Sequence, residues 1–445
     1  MDSTMWMIGT LVISILLIIV SIIKFKFHPF LALLLASFFV GISMQMNPLE
    51  MVNAIENGIG GTLGFLAAII GLGTILGKMM EISGAAELIG VTLQKSRWLT
   101  PDVTMVLIGL ICGITLFVEV GVVLLIPLAF SIAKRTNTSL LKLAIPLCTA
   151  LMAVHCIVPP HPAALFVTNE LGADIGTVIV AGLAVGLVAS LVGGPLFLKF
   201  LGDRLPFKTV PEAFSDLEVR EEKDLPSLGA TLFTVLLPIA LMLIKTAADL
   251  NMSKDSQLFT LLQFIGNPIT AMFIAAFVAY YMLGIRRNMG MSVLLSKTEE
   301  SFSSIANILL IIGAGGAFNG ILKGSGLSDS LAMVLSGIDM HPILLAWLVA
   351  IILHAAVGSA TVAMMGATAI VAPLMPMYPH ISPEIMTLAI GSGAIGCTIV
   401  TDSLFWLVKQ YCNATLAETF RFYSVATLIA SFVALAGTFA LSFVI

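Results

Sequence analysis

Apolar residues run along this chain in long stretches broken by short polar connections, so the repeating unit is a helix of membrane length. Twelve stretches stand out. They lie at about 5–23, 29–46, 60–93, 102–133, 141–168 and 174–200, and then at about 229–249, 262–284, 303–336, 344–376, 386–410 and 421–445. Most reach or exceed the roughly 20 apolar residues that a helix needs to cross the hydrocarbon layer. One long charged linker, Asp203 to Ser227, separates six stretches from six. The pattern predicts an all-α polytopic membrane protein with a first repeat at 1–201, a cytoplasmic linker at 202–228 and a second repeat at 229–445.

Composition points the same way, with 59% hydrophobic and 10% charged residues and a mean hydropathy of +1.08. A large soluble domain is excluded, and roughly ten crossings fit in the chain. The net charge of -4 says little about partners, and no nucleic-acid partner is expected of such a membrane chain. The first stretch follows Asp2 instead of a basic region and leads into Lys24 and Lys26 without a small-residue cleavage site. It is expected to remain as the first helix. Cys112, Cys148, Cys156, Cys397 and Cys412 all fall in or beside apolar stretches, where cysteines act as packing residues and not as a disulfide framework.

The two halves are weak copies of each other. Gly71, Gly73, Ser83, Gly84 and Glu87 align with Gly313, Gly315, Ser325, Gly326 and Asp329 at an offset of 242. Ala153, Cys156 and Ala173 align with Ala394, Cys397 and Ala414 at an offset of 241, which sets Pro160-His161-Pro162 opposite Thr401-Asp402-Ser403. Interrupted polar segments at matching places in two halves are a signature of secondary transporters whose site lies between the repeats.

Loop charges choose the topology. If the fourth stretch of each half is a re-entrant hairpin and the N-terminus is outside, the loop and helix-end basic residues from Lys24 and Lys26, through Lys95, Arg97, Lys134, Arg135, Lys142, Arg220, Lys223 and Arg286, to Lys409 and Arg421 all fall inside, leaving Lys254 outside. With all twelve stretches crossing, Lys134 and Lys142 would fall opposite Lys95 and Arg97. Five crossings per half is an odd number, so the second repeat is expected to be inverted relative to the first.

A hairpin turn at membrane depth must be buried in protein or face a wet cavity. Thr115 to Gly121 and Ala356 to Thr361 carry the glycine, hydroxyl and carboxylate groups that suit such turns, with Pro127 and Pro373 beyond. The fifth stretches carry the complementary break. His155 to Pro162 holds Pro159, Pro160 and Pro162, which no continuous helix accommodates, while Gly396 to Ser403 uses glycine and hydroxyl residues around Asp402. Two hairpin tips meeting two helix breaks would aim helix N-termini and ionisable groups at one pocket.

Candidate residues follow from these breaks. Glu119, Pro160, His161, Ser359, Thr361, Thr401, Asp402 and Ser403 are the substrate-binding candidates, and Glu119, Asp402, His155 and His161 the proton-coupling ones. A carboxylate at mid-membrane costs at least about 2.5 kcal/mol, so Glu119 and Asp402 are expected to carry a function. The plainer readings are a protonated, hydrogen-bonded Glu119, a helix-capping Asp402, and histidines bonded to backbone carbonyls; His354 is the weaker candidate on that ground. Lys78, Glu81 and Glu87 in the first half face Lys323 and Asp329 in the second, and their spacing predicts intrahelical or helix-end ion pairs, Lys78 with Glu81 at i, i+3, in a structural or gating role.

Glu119-Val120-Gly121, the run from Ala150 to Cys156 into Pro159-Pro160-His161-Pro162-Ala163-Ala164-Leu165, and Asp402 to Val408 resemble the gluconate:proton symporter family. The resemblance spans essentially the whole chain, including Lys24 to Phe30 and Gly71 to Lys78. It implies a multi-pass carrier of the bacterial inner membrane, coupled to protons and needing no cofactor or metal. Through a wider superfamily of ion transporters it also implies a homodimer whose mobile domain moves like an elevator. Within the family the chain resembles the members that carry D-serine, gluconate carriers differing around Ser359 to Met365 and Ile399 to Thr401; the alternative substrate is gluconate or a related sugar acid.

A D-amino acid offers an ammonium group for Asp402 or Glu119, and a carboxylate for helix N-termini with Ser359 and Thr361. A membrane enzyme is the competing class, but no HExxH helix, nucleophile elbow, metal-spaced Cys/His cluster or phosphate loop occurs. A channel is the third class. Broken helices around a titratable site in both halves suit alternating access better.

Overall fold

The computed structural model describes residues 3–95, 99–209, 224–327 and 340–445. In chain order the principal helices are α1 (Ser3–Ile23), α2 (Pro29–Ser43), α3 (Pro48–Ser83), α4 (Ala85–Gln94), α5 (Pro101–Gly113), α6 (Val118–Thr136), α7 (Leu140–Ile157), α8 (Pro162–Leu171) and α9 (Ile175–Leu201). After the linker come α10 (Leu228–Asn251), α11 (Gln257–Ile265), α12 (Pro268–Ala279), α13 (Met291–Gly324), α14 (Pro342–Val357), α15 (Ala360–Val371), α16 (Pro383–Ile395), α17 (Ser403–Tyr411) and α18 (Leu416–Leu441). No strand occurs among the described residues. Among the described residues eight helical spans are long and apolar enough to cross a membrane, and four shorter apolar helices accompany them.

One start signal recurs: a polar cap followed by proline at the first helical position. Asn47-Pro48, Asn267-Pro268, His341-Pro342 and Ser382-Pro383 open α3, α12, α14 and α16, each cap side chain accepting a bond from a first-turn amide. Proline loses nothing there, because that N–H has no partner inside the helix.

Hydropathy misplaced the start of two helices. The stretches beginning near 60 and 303 belong to α3 and α13, which start at Pro48 and Met291 and run for 36 and 34 residues. Their first turns are amphipathic, with Glu50, Asn53 and Glu56 in one and Lys297, Glu299 and Glu300 in the other, so apolar content does not reveal them. The 262–284 stretch also proves to be two elements, since α11 ends at Ile265 and α12 begins at Pro268. Linker residues 210–223, including Arg220 and Lys223, and also Arg97 and Asp329, lie outside the described residues. Where the linker is described, Lys208 joins the two halves: its backbone meets Ser139 and Leu140, and its Nζ pairs with Glu418 at 2.9 Å.

The core lies around α7 and α16. Nearly every side chain of both is buried, and 94% of the apolar window in Leu140–Leu171 is covered by protein. Interrupted backbone is therefore shielded from lipid where helices are broken. The halves interlock across this core, α15 packing on α8 and α17 packing on α6.

At one side α3 and α13 lie against each other in opposite directions. A methyl group added at Gly316 would overlap the carbonyl of Gly58; one at Gly320 would sit 2.6 Å from the Ala54 oxygen, and one at Gly313 would sit 3.1 Å from Leu63. Small residues of this kind let membrane helices approach backbone to backbone. Gly316→Val is expected to lower the thermal midpoint in detergent by several degrees, corresponding to about 1–3 kcal/mol of overpacking. Gly61→Val, on the same seam helix but with nothing within 4 Å, should leave it near the parent value; equal midpoints for the two variants would contradict the seam.

Candidate substrate site

Four interruptions place four helix N-termini in the protein interior. After α5 the chain turns through residues 114–117, and extended Phe117 precedes α6, setting Glu119 in its first turn. Between α14 and α15, Gly358 takes a left-handed φ of +71°, and a side chain there would collide with the Thr401 carbonyl, so glycine serves both the turn and the close approach. Ser359 then caps α15 by accepting a bond from the Val362 amide at 3.4 Å. His161 precedes Pro162 at the start of α8. Asp402 caps α17, its Oδ1 accepting a bond from the Leu404 amide at 2.7 Å.

Three of these starts share one cavity of about 170 Å³. Glu119, His155, Ser359, Thr361, Asp402 and Ser403 line it, together with Phe117, Met152, Asn307, Ile308 and Ile311. It is far larger than the roughly 10–15 Å³ that admits a single water by the same measure. Ser403 Oγ donates to Glu119 Oε1 at 3.4 Å, and Thr361 Oγ1 lies 3.4 Å from His155 Nε2. The positive end of α15 faces the same space as the Glu119 carboxyl, which stands in the first turn of α6. One wall can therefore take an anionic group and another a cationic one, as a zwitterion requires.

Other nominated residues lie elsewhere. His161 and Pro160 border a separate small cavity with Ile69, Gly73, Leu76 and Met272, and His161 Nε2 bonds the Gly113 carbonyl. The His161 ring meets the His155 ring edge-on, with centroids 5.2 Å apart. Thr401 does not line the main cavity; its hydroxyl donates to the Ala355 carbonyl at 3.2 Å.

Sequence reasoning undervalued two residues. His354, fully buried at the end of α14, has Nε2 2.9 Å from Asp402 Oδ2 and Nδ1 2.6 Å from the Gly396 oxygen. The repeat offset of 241 sets it opposite Gly113, just as Asp402 stands opposite His161, and that register was the available signal. Asn307 reaches the cavity from α13, a helix with no break, and its one signal was an amide in an apolar run.

The expected ion pairs are partly rearranged. Lys78 Nζ bonds Glu81 at 2.8 Å, as its spacing predicts, but its second partner is Glu300 at 3.3 Å, while Lys323 meets Glu170 at 3.4 Å. Because α3 and α13 are antiparallel, the end of α3 lies beside the start of α13, far from Lys323. Glu300, ahead of the apolar part of α13, is held below the usual carboxylate range by its bonds to Lys297 and Lys78. Lys78, Glu81 and Glu300 border a second cavity of about 170 Å³, separated from the first by Phe117, which lines both. Among the described residues no group of three His, Cys, Asp or Glu side chains is placed to hold a metal ion.

Comparison with known proteins adds the family. Residues 6–444 match the profile of the GntP family permease. The chain is 78% identical to the D-serine transporter DsdX of Escherichia coli K12 over 445 residues, all of both chains. It is 40% identical to the gluconate permease of Pseudomonas aeruginosa over 440 residues, 97% of each. Among solved structures, the YdaH transporter of Alcanivorax borkumensis superposes with a TM-score of 0.66 at 16% identity, covering 94% of this chain and 98% of that one. MtrF of Neisseria gonorrhoeae gives 0.62 at 15% identity, covering 87% and 83%. These two share the fold. Matched from end to end, and with eight membrane-length helical spans, the chain belongs to the GntP permease family, as a multi-pass inner-membrane transporter and not an enzyme.

Proposed function

We propose that this permease imports D-serine across the bacterial inner membrane by proton symport. The observation that carries the substrate is the 78% identity, without loss of length, to a D-serine transporter. The cavity chemistry agrees with it. Glu119 and Asp402 are the two carboxyl groups available for ammonium and proton, while Ser359, Thr361 and the N-termini of α6 and α15 receive the carboxylate, with Ser403 beside Glu119. His155 lines the same space, whereas His161, Pro160 and Thr401 support the breaks around it.

The architecture is two inverted repeats, residues 1–201 and 229–445 joined by the 202–228 linker, each with five crossings, one re-entrant hairpin and one broken helix. In support, α3, α5, α6, α7 and α8 begin at 48, 101, 118, 140 and 162, and α13, α14, α15, α16 and α17 at 291, 342, 360, 383 and 403. The antiparallel α3 and α13 pair favours inversion. The hairpins and broken helices travel as one body past α3 and α13 in an elevator-like step, within a homodimer. Asn307, on α13, would then touch the substrate in only one of the end states.

Purified protein in liposomes should accumulate labelled D-serine when an inward proton gradient is imposed and lose that accumulation when an ionophore collapses it. Competition by gluconate that exceeds competition by D-serine would reverse the substrate reading. Glu119→Gln should raise the half-saturating concentration of D-serine roughly thirtyfold, the cost of about 2 kcal/mol for an ammonium left without its charged partner. An unchanged value would remove Glu119 from ammonium binding.

A further inference from the structure

The contact between His354 and Asp402 has a proton count that its partners fix. His354 Nδ1 lies 2.6 Å from the Gly396 carbonyl oxygen, which only accepts, so Nδ1 carries a hydrogen. Nε2 of the neutral ring is then a bare acceptor, and an ionised Asp402 Oδ2 at 2.9 Å is another. Two acceptors do not meet at that distance unless a hydrogen lies between them. Whether drawn as imidazolium with carboxylate or imidazole with carboxylic acid, the closed contact holds one proton and no net charge. Loss of that proton leaves one negative charge and two opposed lone pairs, and the contact opens.

The contact also has a mechanical position. His354 reaches from α14 to both ends of the interrupted segment between α16 and α17, touching Gly396 at one end and Asp402 at the other. Asp402 Oδ1 simultaneously caps α17 through the Leu404 amide, and the next residue, Ser403, reaches Glu119 across the cavity. The first half has the same joint without this chemistry. There His161 bonds the backbone carbonyl of Gly113, the two partners standing 48 residues apart, as His354 and Asp402 do. A backbone oxygen cannot exchange a proton near neutral pH, so only the second joint has two titratable partners. Other titratable groups facing it are Glu119 on α6, His155 and Cys156 on α7, and Tyr423 on α18.

We propose that His354 and Asp402 together carry the coupled proton, and that this proton staples the Gly396–Asp402 segment in the shape that binds substrate. Resting on the symport reading, the assignment gives the proton to the His354 and Asp402 pair and leaves Glu119 to the substrate ammonium. Asp402 lines the cavity while His354 lies behind it, so the proton enters and leaves through cavity water by way of Asp402. His354 acts through Asp402 and is a positioning residue for it.

The test is His354→Gln in proteoliposomes. Glutamine gives up the bond to the Gly396 carbonyl but keeps an N–H donor for Asp402 at every pH and does not titrate, so the Asp402 contact stays closed. D-serine counterflow, which moves no net proton, should stay within threefold of the parent, while accumulation driven by the proton gradient should fall at least tenfold and lose its pH dependence. Gradient-driven accumulation with the parental pH profile would overturn the assignment. A parent protein that exchanges D-serine but never responds to the gradient would sink the symport reading itself, and the pair's role with it. The unmodified protein offers a second readout, because Cys397 sits inside the stapled segment and is half-buried while the other four cysteines are buried. Its alkylation by N-ethylmaleimide, relative to the unfolded protein at the same pH, should rise at least threefold as the pair deprotonates. A flat ratio across the transport range would contradict the staple.

Discussion

Backbone amides and carbonyls freed by a broken helix have no partner in lipid, and that single constraint organises this molecule. Every interruption has to be surrounded by protein or by water held inside protein. The chain meets the requirement by placing its two broken helices at the centre and packing each half's hairpin arm against the other half's break, α15 on α8 and α17 on α6. Once those pairings are made, the freed N-termini have nowhere to point except inward. The cavity is thus a consequence of solving the backbone problem, before any side chain is chosen for a substrate.

Side chains then differentiate the ends. Ser359 and Asp402 satisfy first-turn amides of α15 and α17, whereas α6 begins after Phe117 with no side-chain cap, so its amides and the neighbouring Glu119 remain available to the cavity. Equivalent joints use a backbone oxygen with His161 in one half and a carboxylate with His354 in the other. On the proposed coupling, the first joint holds shape while the second responds to protons. Phe117 divides the cavity lined by Glu119 and Asp402 from the one bordered by Lys78, Glu81 and Glu300.

Much of this was legible in the amino-acid pattern because breaks leave strong local marks. Pro159, Pro160 and Pro162 cannot continue a helix, and Gly358 next to Ser359 reads as an end followed by a start. The residue matches at an offset of 241 then point from one break to the other. What stayed hidden depended on distance in three dimensions. His354 looked like an ordinary buried imidazole because its partner lies 48 residues away. Lys78 pairs with Glu300 as well as with Glu81, and charge spacing does not reveal that second partner because it depends on α3 and α13 running in opposite directions. The starts of those two helices escaped notice because amphipathic turns carry no hydropathy signal.

The account stands on the convergence of α6, α15 and α17 at the place where substrate sits. A cryo-electron-microscopy map of the protein saturated with D-serine tests this most directly. Density for the amino acid is expected in the cavity between Glu119, Ser359 and Ser403, with its ammonium toward Glu119 and its carboxylate toward the start of α15. Density instead in the cavity bordered by Lys78 and Glu300, with the first cavity filled by side chains, would contradict it.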